Sequence, residues 1–391
     1  MADYKKYQSD GVSAEDKALD KFAELMIEKI ESLKNSDGWK QPWFTEGSLR
    51  WPRNLSGREY NGMNALLLMM LCEKQNYKLP VFCTFNRAVG LNYTTDKQGA
   101  KKPITDTDGQ PLPRVSINKG ERSFPVMLTT FTVMDKDTKE KINYEEYKRL
   151  SNDEKSQYNV YPKLNVYQVF NVDQTNLKEA RPDLYAKLEA ENKLQRPFSG
   201  EGESFKFPAM DAMIAENKWI CPINLVHQDN AYFSISKNQI TLPEKSQFKD
   251  GESFYGTAFH EMTHSTGTAE MFNRFNPESG FGSAEYAKEE LVAELGSALV
   301  AQRYGMTKNL KDDSAAYLKS WLDSLKESPS FIKTTLMDVK RATSVITQRI
   351  DEVALELEAK QSQTNNKSVS MDAEAKVEKP QQEVPKPELE E

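Results

Sequence analysis

Two histidines four residues apart, with a glutamate directly after the first, leave this chain little freedom around position 260. Residues 254–267 read FYGTAFHEMTHSTG. On a helix, positions i and i+4 share a face, so His260 and His264 project together. Two imidazoles placed that way can hold one Zn²⁺ at about 2.0–2.1 Å each. Glu261, beside the first ligand, can reach the ion's water without ligating the ion, which lowers that water's pKa towards ~7. The whole chain has only three histidines, so the spacing is no by-product of a histidine-rich composition. The blander readings are a helix with two solvated histidines and a metal that is purely structural. An intact Glu261 beside an open coordination position favours a hydrolytic site.

The third protein ligand must come from elsewhere. His227, the remaining histidine, falls on a predicted strand in NLVHQDN, where a hydrogen-bonded structural role is the simpler reading. A carboxylate from a later helix is the alternative, and YAKEELVAELGSALVAQ offers Glu290 with Glu294 one turn on. Glu290 would ligate, while Glu294 would accept a histidine N–H and orient the ring. Glu289 competes for the ligand role, but Leu291, Ala293 and Leu295 leave Glu290 and Glu294 on a shared face. Tyr232 and Tyr255 are candidate donors to an oxyanion, with aromatic packing the plainer reading for each. The strand AYFSI upstream is a candidate edge for an extended peptide.

At 391 residues the chain is long enough for two domains, each able to bury its own core. Apolar residues at Ala18, Leu19, Phe22, Leu25, Met26, Ile30 and Leu33 predict an amphipathic helix over Glu15–Leu33. Met63–Cys72 reads as a compact apolar helix. TTDKQGAKKPITDTDGQPLP (94–113) has turn chemistry throughout and reads as an exposed hairpin excursion. Strands are expected at Phe124–Val133 and Asn165–Val172. Further on come a helix at Ala209–Glu216, strands at Trp219–Val226, Ala231–Ile235 and Gln239–Leu242, and helices near 253–266, 284–303, 313–326 and 330–357. The fold class is α+β in two domains: residues 12–175 as a small mixed domain, 176–204 as helix plus linker, 205–357 as the metal-binding domain. Residues 358–391 form an acidic tail without core-forming pattern, expected to be disordered. The N-terminus has no hydrophobic leader, and no stretch approaches the ~20 apolar residues of a membrane span. Cys72, Cys83 and Cys221 form no CxxC pair and read as reduced buried thiols. The expected address is the cytoplasm, with no membrane partner.

The net charge of −7 gives no general attraction to nucleic acid, but the charge is uneven. Residues 37–125 hold 13 Lys/Arg against 8 Asp/Glu. There Trp39, Trp43, Trp51, Tyr60 and Phe85 interleave with Lys40, Arg50, Arg53, Arg58 and Arg87, and Arg114, Lys119 and Arg122 follow around INKGER. Flat side chains for bases and cations for phosphates are what single-stranded nucleic acid requires. The candidate DNA contacts are Trp39, Lys40, Trp43, Arg53, Arg58, Tyr60, Lys119 and Arg122. The competing reading makes the tryptophans core plugs and the bases a solvated face.

The ordered series WKQPW, NLSGREYNGMNALLL, TFNRAVG, INKGER and YQVFNVDQT resembles the N-terminal domain of ArdC-type antirestriction proteins, which is similar to the domain at the head of certain plasmid primases. FHEMTHSTG and YAKEELVAELGSAL resemble the zincin-like metallopeptidase domain that follows it in that family. The likeness runs from about Val12 to Ile350. It implies an N-terminal domain that binds single-stranded DNA, a zinc-holding C-terminal domain with a peptide or protein substrate, and a role on mobile elements in protecting incoming DNA from restriction. By resemblance His260, His264 and Glu290 are metal ligands and Glu261 the catalytic glutamate. Two departures stand out: a tryptophan commonly follows the second histidine where this chain has Ser265, and the excursion 94–113 looks like an insertion.

Overall fold

The computed structural model describes residues 13–35, 51–96, 98–192, 205–275, 283–306, 317–327 and 329–375. The first half runs α1 (Ala14–Asn35), β1 (Arg53–Asn54), α2 (Met63–Gln75), β2 (Val81–Cys83), α3 (Phe85–Gly90) and the hairpin β3 (Tyr93–Thr95) and β4 (Lys101–Pro103). Next come β5 (Phe124–Asp135), β6 (Lys141–Ile142), α4 (Tyr144–Arg149), α5 (Asn152–Lys155) and β7 (Tyr158–Asn171), then α6 (Leu177–Ala180) and α7 (Pro182–Glu191). The second half holds α8 (Pro208–Ala215), β8 (Ile223–Val226), β9 (Tyr232–Ser234), β10 (Gln239–Pro243), α9 (Gly251–Ser265), α10 (Ala284–Arg303), α11 (Leu318–Glu327) and α12 (Pro329–Ala375).

In the first half a five-stranded sheet has the order β1-β2-β7-β5-β6. β5 and β7 pair antiparallel without interruption from Phe124↔Val169 to Asp135↔Tyr158. β7 thus begins well before the expected Asn165. Pro162 and the polar residues around it mask the strand, but β2 reaches β7 only at Phe170 and Asn171. Among the described residues no strand pairs with that side of β7 beyond this point, where a residue without an N–H is tolerated. α1 begins on a reciprocal cap, with Asp16 N donating to Ser13 Oγ at 3.0 Å and Ser13 N to Asp16 Oδ2 at 3.2 Å, which satisfies N–H groups that have no partner within the helix. Its apolar stripe faces inward, and Phe22 stacks on Phe124 with ring centroids 5.7 Å apart.

In the second half β10 lies between β8, parallel to it, and β9, antiparallel to it. α9 and α10 pack side by side. Gly296 makes the approach possible: a Cβ there would lie 2.9 Å from Thr263 Cγ2, closer than side-chain atoms tolerate. Thr263 precedes His264, so this contact sets where the histidine helix lies against the helix carrying the acids.

The two halves have cores of their own and also share one. Each half has a smaller cluster, but the largest joins them: Phe22, Leu66, Phe82 and Phe124 pack with Leu291, Leu295, Trp321 and Leu336. Burying each such side chain contributes about 1.5–3 kcal/mol, so α10 and α12 are structural members of the first half as well. Residues from the stretch read as helix plus linker form α6 and α7, whose Leu177, Ala180, Tyr185 and Leu188 pack with Leu79 and Val81. α12 runs on to Ala375, into the stretch expected to be disordered. Among the described residues no helix is long and apolar enough to cross a membrane.

Candidate metal centre

α9 is fixed at its start by Asp250, whose side chain accepts from Ser253 N at 2.6 Å, and by Gly251, where a Cβ would collide with the Phe205 ring. Phe254, Ala258, Phe259 and Met262 are fully buried, which aims His260 and His264 at α10. Their Nε2 atoms lie 3.2 Å apart. Glu290 completes the group, one carboxylate oxygen 3.5 Å from His260 Nε2 and the other 3.7 Å from His264 Nε2. Two ligands on one tetrahedral ion with bonds of about 2.0–2.1 Å stand roughly 3.3 Å apart, so this donor set fits a single small divalent cation. His260, His264 and Glu290 are the residues brought together this way among the described ones.

A carboxylate stands behind each ring. His260 Nδ1 is 3.4 Å from Glu294 Oε1, and Glu294 is completely buried. His264 Nδ1 lies 3.2 Å from Glu289 Oε1. Glu289 and Glu290 therefore both belong to the site on different atoms, Glu290 facing the two Nε2 atoms and Glu289 the back of one ring. Glu289 is itself clamped by Arg274, whose Nε and Nη2 donate to its two oxygens at 2.8 Å each. The same guanidinium donates to Thr266 Oγ1 at 2.9 Å and to the Thr263 carbonyl at 2.8 Å. Burial alone would lower the His264 pKa, but its hydrogen bond to Glu289 and the charges of Glu290, Glu289 and Glu261 outweigh that and raise it. Burial would raise Glu289, but Arg274 and His264 together hold it below the usual carboxylate range.

Glu261 is buried, and its charge is felt by both His264 and Tyr286. Tyr286, one turn before Glu290 on α10, hydrogen-bonds that carboxylate; burial and the Glu290 charge push its phenol pKa up. Neither tyrosine singled out from the sequence has this position. The Tyr255 hydroxyl is a structural hub, donating to Asp211 Oδ1 at 2.5 Å and accepting from Lys245 Nζ at 2.7 Å and Phe207 N at 3.0 Å. Tyr232 is exposed on β9, an edge strand of its sheet. His227 is 80% exposed and lies 3.5 Å from Glu244, away from the centre. Ser265 is buried, accepting from Trp219 Nε1 at 3.0 Å and donating to the Met262 carbonyl at 2.7 Å. Sequence reasoning missed Arg274 and Tyr286. Arg274 carried no motif, and Tyr286 was readable only from its four-residue step to Glu290.

The candidate DNA contacts separate. Trp39, Lys40 and Trp43 lie outside the described residues. Arg53 is mostly buried and donates to Glu191 Oε2 at 2.8 Å, so its charge serves the fold and makes a poor phosphate contact. Tyr60 packs edge-on against Phe82, with centroids 6.2 Å apart, and burial pushes its hydroxyl up to about 12. Trp51 lies under the Arg303 guanidinium, 5.4 Å from the ring centroid. Arg58, Lys119 and Arg122 are exposed outside the helices and strands, Lys119 in a turn.

Residues 208–336 match a family model described as a zincin-like metallopeptidase, and residues 16–170 one described as the N-terminal domain of anti-restriction factor ArdC. Among curated proteins the chain is similar to two DNA primases TraC of Escherichia coli. One is 25% identical over 371 residues, 94% of this chain and 30% of the primase; the other is 28% identical over 353 residues, 88% of this chain and 20% of the primase. The chain thus spans less than a third of the length of either. Among solved structures it resembles the metal-free antirestriction ArdC protein from the R388 plasmid, at TM-score 0.56 and 22% identity, covering 85% of this chain and 98% of that one. The Mn(II)-bound form of that protein matches equally, with 97% of its chain covered. An N-terminal domain of the ArdC kind followed by a zincin-like metallopeptidase domain makes this chain an ArdC-type protein.

Proposed function

We propose that the protein binds single-stranded DNA through its first half, carries a zinc-dependent peptidase-type hydrolytic site in its second, and acts as an antirestriction protein of a mobile element. The observation that carries the hydrolytic part is the approach of His260, His264 and Glu290 to tetrahedral edge distances, with Glu261 alongside. Two imidazoles and one carboxylate suit Zn²⁺. Zinc held there would polarise a peptide carbonyl and bring a water within reach of deprotonation near neutral pH. The protein's own contributions are positional. Glu289 pairs with His264 Nδ1 and Glu294 stands 3.4 Å behind His260 Nδ1, which favours turning the Nε2 lone pairs toward a common point. Glu261 is the base that takes the water proton. Tyr286 holds the Glu290 carboxylate. β9, an edge strand, offers backbone groups along which an extended peptide can pair.

A second reading has a specific observation behind it. Leu291, Leu295 and Leu299 of α10 sit in the core shared with the first half, so a metal gripped by Glu290 would also brace the DNA-binding half without any bond being cleaved. Glu261→Gln separates the two. Under the hydrolytic reading this variant keeps its metal and loses both proteolysis and antirestriction. Antirestriction that persists undiminished in the variant means that the metal is structural.

A further inference from the structure

The large exposed apolar side chains are not spread evenly. Leu128, Phe131, Tyr161, Leu164 and Tyr167 all lie on the β5–β7 ribbon. Side chains alternate between the two faces of a ladder, so the rungs of β5 and β7 sort into two sets. One face carries Met127, Thr129, Phe131, Val133 and Asp135 with Val166, Leu164, Pro162, Val160 and Tyr158. α4 and its neighbours cover its outer end: Phe131 stacks on Tyr144 at 4.2 Å, Tyr147 packs on Tyr158 at 6.1 Å, and Val133 is fully buried. The other face carries Leu128, Thr130 and Thr132 opposite Asn165, Lys163 and Tyr161, with Tyr167 beside them on the next rung. Leu128, Thr130, Thr132, Tyr161, Lys163 and Tyr167 are exposed, and Asn165 is half-buried.

This second face has a chemical pattern. Along β7 it reads Tyr161, Lys163, Asn165, Tyr167 at every second residue, spanning roughly 20 Å at about 3.3 Å per residue. From the Val126 rung to the Met134 rung it holds one cation and no carboxylate, whereas the opposite face holds Asp135 and no cation. Asn165 Nδ2 donates across the ladder to Thr130 Oγ1 at 2.9 Å, and Thr130 Oγ1 donates to the Lys163 carbonyl at 3.3 Å, so short polar side chains keep the surface between the rings low and flat. Two aromatic plates separated by a cation and amide, with no negative charge, complement an unpaired polyanion whose bases are free to stack. A protein partner would gain little from the hydroxyl-rich floor.

We propose that this face of the β5–β7 ribbon is a stacking platform for single-stranded DNA, with Tyr161 and Tyr167 under bases and Lys163 on the phosphate backbone between them. It rests on the reading that the protein binds single-stranded DNA, and it places that binding on residues outside the tryptophan-rich segment.

The test is fluorescence anisotropy of the full chain with labelled oligo-dT across a salt series. The variants are Tyr161→Ala/Tyr167→Ala, Tyr161→Phe/Tyr167→Phe and Lys163→Ala, with Leu164→Ala on the opposite face as control. The double alanine variant loses binding on the order of ten- to a hundredfold, while the double phenylalanine variant keeps it, because stacking needs the ring and not the hydroxyl. Lys163→Ala flattens the salt dependence by about 0.7 in log–log slope, and Leu164→Ala binds like the parent chain. All four positions are exposed on the ladder, and unchanged thermal unfolding verifies that the fold is kept. Binding by the parent chain that survives the double alanine change overturns the platform and leaves the DNA reading standing. No binding by the parent chain even at low salt overturns both.

Discussion

The α9–α10 pair and the β5–β7 ribbon solve opposite problems. At the metal centre the polar side chains are buried against one another: Glu289 is held by Arg274 and His264, Glu290 by Tyr286, and Glu294 lies completely buried behind His260. On the bare face of the ribbon Tyr161, Lys163 and Tyr167 are exposed and take little part in packing. A buried polar network is rigid and sensitive, since losing one member strands the next. An exposed face can be rewritten at almost no cost to stability. The difference teaches that the ribbon can be silenced while the metal centre stays intact, whereas loss of the metal's grip spreads through α10 to the shared core; only a change that keeps the metal, such as Glu261→Gln, silences the hydrolytic site alone.

The largest effect bears on that spread. Phe22→Ala, on α1 and far from the histidines in sequence, removes a ring from the shared cluster and should cost about 3–5 kcal/mol. It should lower one cooperative unfolding transition seen by both metal release and tryptophan fluorescence. Two separate transitions, with metal release unmoved, would break the comparison.

Next comes the network behind the ligands. Glu289→Gln leaves the three donors in place but weakens the grip on His264 Nδ1 and on Arg274, and should weaken Zn²⁺ binding about 10–100-fold. Competition with a chelator of known affinity reads this directly. Equal affinity would mean that the clamp is dispensable. Gly296→Ala pushes a methyl against Thr263 and should cost about 1–3 kcal/mol by overpacking, read as a shift in denaturation midpoint. Smallest of all, Tyr161→Ala should move stability by no more than about 0.5 kcal/mol. A larger loss would mean that the ribbon face is part of the fold.

Legibility in the sequence follows the same division. α1 could be read from its apolar stripe, and the step from His260 to His264, with Glu290 and Glu294 one turn apart, already defined the facing surfaces of α9 and α10, because local periodicity carries that information. What could not be read depends on contacts between distant residues. Arg274 reaches Glu289 from outside both α9 and α10, and nothing in NRFNP announces an ion pair. Leu295 and Phe22 meet in one core although neither carries a mark of the other. The outer half of β7 was hidden because its alternation is aromatic and polar with a proline inside, a pattern that makes sense only once β5 is seen beside it. Arg53 and Tyr60 looked like contacts for DNA because their type was right; Glu191 and Phe82, which occupy them, are visible only in three dimensions.

The central claim is that His260, His264 and Glu290 converge on one divalent ion. Elemental analysis of the purified chain after zinc loading and exhaustive dialysis, alongside His260→Ala, tests it most directly. One zinc per parent chain and none retained by the variant is the result expected. A parent chain that retains no zinc, or a variant that retains as much as its parent, would contradict it.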